Sequence, residues 1–444
     1  MKIIMHWMQT VGLLLAWGAM SAWAEEPVAS AVAERIDTVM PKVVAWRRDI
    51  HEHPELANRE FRTSGLVAEH LRSLGMEVRT GIAHTGVVGI LRGGQPGPAV
   101  ALRADMDGLP VVEQVDLPFA SRVRSEYMGQ EVGVMHACGH DLHVAILMGV
   151  AEVLSGMRSE LPGTVMFVFQ PAEEGAPPGE EGGAELMLEE GLFDDPRPEA
   201  IFGLHVVPSK VGTIGWRSGG IMASSDRFTI KVRGRQTHGA VPWGGVDPIV
   251  VAAQIVLGLQ TIPSRQLDAT LTPSIVTVGV IRGGVRHNII PDEVDMTGTL
   301  RTFDPGTQQQ IHERVIRTSE SIAASAGASA DVEIFLGYPV THNDPALTRR
   351  MLPTLARVVG PGLIETPRAT GAEDFSFYQK EVPGMFFFLG IASDDPSKVH
   401  PNHSPLFYAD ERGLPIGVTA MTALALDFLH GSAAAAAMKG ASGL

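Results

Sequence analysis

Apolar positions fall at helical spacing over residues 28–50 and again over 60–74, and the first of these runs stops at His51-Glu52-His53-Pro54. The rhythm then changes to short, nearly continuous apolar runs at 86–91, 99–102, 164–169 and 200–204, with a helical stretch at 142–154 between them. Continuous apolar strands separated by helices predict an α/β fold whose mixed, mostly parallel sheet is buried on both faces. From Asp226 the order becomes strand 228–232, helix 248–259, strands 274–281 and 293–302, helix 307–324, strand 331–335. That βαββαβ order is the ferredoxin-like split motif and predicts a compact inserted domain. The α/β character returns from Pro345, with a strand at 384–391 and a last helix at 410–429. The expected organisation is therefore one α/β domain in two parts, 28–220 and 337–430, interrupted by an insert at 221–336 and followed by a frayed, disordered tail at 431–444.

The first residues add a different signal. Lys2, an apolar run through Trp17 and Ala22-Trp23-Ala24 before Glu25 have the three parts of a secretory signal peptide, with cleavage expected after Ala24. Residues 1–24 are thus expected to be removed, placing the mature chain in a bacterial periplasm, and no later stretch is expected to be long enough to serve as a membrane span in its place. A signal anchor is the alternative. One cysteine permits no internal disulfide, so stability must come from packing. The formal charge of −15 disfavours nucleic acid and anionic lipid as partners. A small anionic substrate needs only one or two local cations and stays open.

Chemistry concentrates where strands end. Met135-His136-Ala137-Cys138-Gly139-His140-Asp141-Leu142-His143 holds the only cysteine, three histidines and an aspartate, a donor set suited to zinc and its neighbours. A buried structural cysteine beside capping histidines is the plainer reading. The helix that follows should direct its positive end at this cluster and favour a Cys138 thiolate. The strand at 99–102 empties into Asp105-Met106-Asp107, a site or a turn before Gly108 and Pro110. The strand at 164–169 empties into Pro171-Ala172-Glu173-Glu174-Gly175, where one carboxylate can bind a metal while its neighbour accepts a proton from attacking water. A solvated acidic loop competes with that reading. The strand at 200–204 is expected to end at His205, and His403 follows the strand at 384–391. In the insert, His238, Asn288 and Arg301 offer an oxyanion donor and a grip on a carboxylate, or simply stabilise loops. Glu373 and Asp374 either cap a short helix or support the site.

Taken together, HACGHD, PAEEG, GLHV, THGAVPWGGVDPI, HNIIPDEV, GAEDFSFY and HPNHSPLF resemble the co-catalytic metallopeptidase and amidohydrolase group of hippurate hydrolases, N-acyl-amino-acid amidohydrolases and auxin-conjugate hydrolases, from RRDIHEHPE to the last helix. The resemblance implies a zinc-peptidase-like catalytic domain with an inserted lid that also forms a homodimer. It implies two divalent metal ions, manganese or zinc with cobalt or nickel also accepted. By motif position the ligands are Cys138, His140, Glu174, His205 and His403, and Glu173 is the general base. His238 is expected to stabilise the oxyanion, often in the partner subunit's site, and Asn288 and Arg301 to hold the substrate carboxylate. Asp105 stands where relatives place a histidine ligand, so Asp105 and Asp107 stay between ligand and support, with Glu373 as support. The implied reaction is hydrolysis of an N-acyl amino acid. A dipeptidase or carboxypeptidase with the same site is the alternative, and a non-hydrolytic metal-binding protein the alternative of another class.

Overall fold

The computed structural model describes residues 26–441, so the leader expected at 1–24 lies outside the described residues. Two sheets carry the architecture. The larger has eight strands: β1 (Glu77–Ile82), β2 (Gly86–Arg92), β3 (Gln95–Asp105), β4 (Pro162–Gln170), β5 (Ala200–Lys210), β6 (Ile214–Trp216), and, after an interruption, β11 (Leu363–Glu365) and β12 (Gly384–Ala392). Their spatial order is β1-β2-β4-β3-β5-β12-β6-β11. The central strands β4, β3, β5 and β12 run parallel, and antiparallel pairings flank them, as expected for a mixed sheet.

Side chains alternate across this sheet with period two, and each face meets its own core. Val100, Leu102, Phe167, Phe169, Phe202 and Leu204 pack with the helices α1 (Glu26–Glu52), α2 (Phe61–Ser73), α3 (His140–Ser155), α7 (Pro345–Val359) and α9 (Leu414–Ala441). Ala101, Met166, Val168, Ile201 and Phe386 point the other way, toward α4 (Gly183–Glu189) and α8 (Phe375–Glu381). Because both faces are covered, the strands read as continuous apolar runs in the sequence.

The smaller sheet comprises β7 (Asp226–Arg233), β8 (Ser274–Gly283), β9 (Glu293–Thr302) and β10 (Ser329–Phe335), in the order β8-β9-β7-β10 and antiparallel throughout. Phe228, Ile230 and Val232 face α5 (Pro248–Thr261) and α6 (Pro305–Ser325) across a separate core.

Three expectations change. The strand carrying His205 does not stop there: it continues to Lys210, because its parallel pairing with β12 persists past Val207. The segment expected to fray beyond Gly431 continues α9 to Ala441, in keeping with the high helix propensity of its alanine run. One later stretch, Glu411–Gly431, is long and apolar enough to cross a membrane, but 78% of it is buried inside the protein, where it serves as a core helix against β3.

Candidate metal centre and active site

The carboxyl ends of the central strands deliver the chemistry, as open α/β sheets generally do. β3 ends at Asp105 and is paired with Gln170 at the end of β4, so the Asp105-Met106-Asp107 and Pro171-Ala172-Glu173-Glu174 turns leave the sheet side by side. Asp107 ties them together by accepting hydrogen bonds from the backbone N–H groups of Glu173 and Glu174, both at 3.0 Å. From the far side, the Tyr338 hydroxyl donates to the Glu173 carbonyl at 2.6 Å. Ala172 adopts a φ of 52°, a strained value for a residue with a side chain, held by the Glu60 carboxylate accepting its N–H.

The cysteine turn is built equally tightly. Gly139 has a φ of 91° just before α3, and an added Cβ would sit 2.3 Å from Val206 Cγ2, so only glycine lets the turn lie against β5. Asn402 spans three segments, donating to the Cys138 carbonyl at 3.1 Å and the Val206 carbonyl at 3.2 Å. The neighbouring His403, at a φ of 69°, donates its N–H to the Ala137 carbonyl.

These constraints bring the expected ligands together, with Glu173 beside them. Ligand atoms of Cys138, His140 and His205 lie within 4.8 Å of one another, as do those of Cys138, Glu174 and His403, and those of His140, Glu173 and Glu174. Cys138 Sγ is 3.3 Å from His205 Nε2, and His403 Nε2 is 3.0 Å from Glu174 Oε1. A dinuclear cation site fits these residues on three observations. His205 Nδ1 donates to the Val206 carbonyl at 2.8 Å, and burial lowers its pKa to about 4, so the neutral ring presents a bare Nε2 lone pair to the cluster. His140 Nε2 is buried with no hydrogen-bond partner, although Asp105 and Glu173 oxygens stand 3.8 and 3.9 Å away. Burial alone would depress His140, yet the carboxylates of Asp105, Asp107 and Glu174 overcome it and raise the ring to about 10. The cluster therefore draws positive charge toward itself.

The cysteine departs from expectation. Burial, followed by the fields of Glu174, Glu173 and Asp105, pushes the Cys138 thiol well above its usual range. The positive end of α3 is outweighed by three nearby carboxylates, so a bound cation is required to hold this sulfur as a thiolate.

The two adjacent glutamates are distinguished by their surroundings. Glu174 is paired with His403, and its carboxyl is held below the usual range despite burial. Glu173 has no hydrogen bond to its carboxylate among the described residues, and burial together with Glu373 and Glu174 pushes its pKa well up.

Beneath them lies a charge network that the sequence did not reveal. The buried Arg103 guanidinium donates to Gln170, Asp105, Glu373 and Asp374 at 2.9, 2.5, 2.8 and 2.9 Å. Asp105 in turn accepts from His143 Nδ1 at 2.5 Å, and His143 Nε2 accepts the Val206 N–H at 2.9 Å. Asp105 and Glu373 are thus held by Arg103, and Asp105 also lies with His140 and His143 in a group whose ligand atoms are within 4.8 Å of one another, while Asp107 faces His140 Nδ1 at 3.3 Å as well as the backbone. His51, near the end of α1, pairs with Asp141 at 2.8 Å and Glu113 at 3.1 Å, and so anchors the first turn of α3.

A cavity of about 530 Å³ opens over the cluster, lined by Glu173, Glu174, Cys138, His205, Glu373 and His403 and by the segment around Arg368. His238, Asn288 and Arg301 stand apart from it. His238 is exposed and its Nδ1 accepts from the Ala240 N–H, while Asn288 lies beside it through the Gly239 N–H to Asn288 carbonyl bond. Arg301 is half-buried in β9, and neither it, His238 nor Asn288 lines the cavity of its own chain.

The chain is similar to known proteins over most of its length. The family model described as peptidase family M20/M25/M40 matches residues 101–427. The chain is 39% identical to a thermostable carboxypeptidase 2 of Saccharolobus solfataricus over 89% of this chain and 99% of that protein. It is 37% identical to an N-acetyl-L-cysteine deacetylase of Bacillus subtilis, over 85% of this chain and 86% of the relative. A solved Bacillus subtilis structure, a dinuclear metal binding peptidase, superimposes with a TM-score of 0.74 at 35% identity, covering 88% of this chain and 99% of that one. The chain belongs to peptidase family M20/M25/M40 and is a metal-dependent amide hydrolase.

Proposed function

We infer that the protein hydrolyses N-acyl amino acids to a carboxylic acid and a free amino acid. The observation that carries this reading is the division between the two glutamates: Glu174 pairs with His403 at 3.0 Å, whereas the Glu173 carboxylate lines the cavity beside the cluster and accepts no hydrogen bond among the described residues. Cys138, His140, Glu174, His205 and His403 would hold two divalent ions, manganese or zinc, with cobalt and nickel compatible with the same donors. When bound, such a pair polarises an amide carbonyl and lowers the pKa of water. Glu173 takes the proton of the attacking water and returns it to the departing amine, a role suited to a carboxylate tuned upward by its environment. Arg103 keeps Asp105 and Glu373 in place beneath it.

The insert is assigned the part of lid and dimer contact. Trp243, Val250, Leu257, Ile281 and Val285 form exposed apolar surface on it, from 52% to 97% accessible, which favours a second copy of this chain as cover. A homodimer would let His238, and with it Asn288 and Arg301, reach the site of the partner to stabilise the oxyanion and hold the substrate. Domain limits at 28–220, 221–336 and 337–430 belong to the same reading. Export with cleavage after Ala24 places the mature enzyme in a periplasm, and the mature amino terminus is then Glu25.

A second reading, carboxypeptidase or dipeptidase action, has the Saccharolobus relative in its favour. Both reactions cut an amide next to a free carboxylate. A panel of N-acetyl, N-benzoyl and free-amine dipeptide substrates on the metal-loaded protein separates them: faster turnover of the N-acyl amino acids is expected, and faster turnover of free-amine dipeptides would replace the first reading by the second. A binding protein without turnover has no use for an unbonded Glu173, and any steady hydrolysis excludes it.

A further inference from the structure

Every carboxylate-bearing substrate needs a cation to receive its charge, and this cavity is rich in acids. Glu173, Glu174 and Glu373 all line it. The histidines in the lining belong to the candidate metal cluster, and no lysine lines it. Arg368 is the single arginine in the lining.

Three features make Arg368 more than a surface charge. It makes no ion pair or hydrogen bond among the described residues, so its five donors are uncommitted. Its backbone is pinned on both sides: the Thr366 N–H donates to the Trp216 carbonyl at 2.9 Å, and the Ala369 N–H donates to the Ile221 carbonyl at 2.9 Å. Arg217 reinforces the same segment by donating to the Thr366 carbonyl at 2.7 Å. The guanidinium also lies 5.7 Å from the centre of the Phe303 ring, a cation–π distance, and Phe303 is itself buried. A side chain held at its base and steadied along its face loses less freedom when it binds a partner, and a planar fork with free donors suits a carboxylate.

We propose that Arg368 is the specificity-determining residue that receives the substrate carboxylate within the chain's own cavity, confining the enzyme to anionic amides. Arg301 lies outside that cavity and could reach a site only from a partner chain, so Arg368 is the arginine that can meet the carboxylate without a second copy. The inference rests on the hydrolytic reading above but not on which acyl group is cleaved. Neutral amides of the same shape would leave the guanidinium without its partner and lose the corresponding binding.

The test uses the full-length, metal-loaded protein with a hydrolysed N-acyl amino acid and its matched carboxamide, the latter assayed as substrate or, where it is not cleaved, by its inhibition constant. Arg368→Gln should lower kcat/KM for the carboxylate compound roughly 10- to 100-fold, chiefly through KM, as expected for loss of a charged hydrogen-bonded partner. The carboxamide should bind equally well to both proteins, metal content should not change, and Arg368→Lys should recover part of the loss. Equal effects on both compounds, or no effect on either, would overturn the assignment, as would a loss in Arg301→Gln with none in Arg368→Gln. If the wild type cleaves dipeptides instead, the same pair of measurements is made on a dipeptide and its amide. Failure of the N-acyl reading is then seen in the wild type, and failure of the Arg368 assignment only in the variants.

Discussion

The two sheets solve opposite problems with the same kinds of residue. In β4 eight of nine residues are buried, and β3, β5 and β12 beyond it are buried over the last six, the first seven and the first eight of their residues, with helices on both sides. In β7 buried positions alternate with exposed or half-exposed ones, because α5 and α6 cover one face only. The consequence is electrostatic. At the ends of the enclosed strands, acids, imidazoles and a thiol are out of water, where an unmet lone pair is costly and a cation is strongly attracted. On the one-sided sheet, Lys231 sits at the surface in solvated pairs with Glu293 and Asp295, and no group of three metal-competent side chains gathers there among the described residues. Burial on both faces is thus what turns a set of common side chains into a reactive centre.

The comparison can be broken most severely by taking away the cations. Chelation should abolish turnover and also lower the melting temperature, since Glu173, Glu174 and Asp105 are then left facing one another; restoring one divalent ion at a time in a thermal-shift and activity assay checks both effects. Activity that survives exhaustive chelation would refute the metal centre.

Next in size is a contribution from the one-sided sheet's own domain. His238→Ala should lower kcat about 10²–10³-fold, the usual loss for an oxyanion donor, with metal content unchanged. Because His238 is outside its own chain's cavity, mixing this variant with a Glu173→Gln chain should regain part of the activity through mixed dimers. An unchanged kcat removes His238 from the chemistry.

The smallest effects concern stability. Phe202→Ala empties a fully buried position under the catalytic strands and should cost about 3–5 kcal/mol in denaturant unfolding. Lys231→Ala on the open face should change stability by no more than about 0.5 kcal/mol. Similar values for the two would mean that the enclosed sheet is not the stability core.

Much of the site was legible because its residue types are rare and closely spaced. Cys138 with His140, and Glu173 with Glu174, announce metal and base chemistry within a few positions, and the apolar runs before Asp105, Glu173 and His205 locate strand ends. The supporting network was not legible, since Arg103 meets Glu373 across 270 positions and Asn402 meets Cys138 across 264. An arginine two residues before Asp105, at the end of an apolar run, is the one local hint, because arginine seldom lies inside unless paired. The surroundings of Cys138 are hidden for a related reason: the helix end is visible in the sequence, whereas the burial and the carboxylates that raise the thiol come from the fold and from two other strands. His205 was placed at a strand terminus because the apolar run ends there, while the hydrogen bonds to β12 carry the strand further.

The central claim is that Glu174 holds metal and Glu173 does not. It is tested most directly by measuring metal content and turnover in Glu173→Gln and Glu174→Gln side by side. The account predicts about two ions per chain and at least a roughly 10³-fold lower kcat for Glu173→Gln, with loss of metal in Glu174→Gln. Loss of metal from Glu173→Gln, with metal retained by Glu174→Gln, would contradict it.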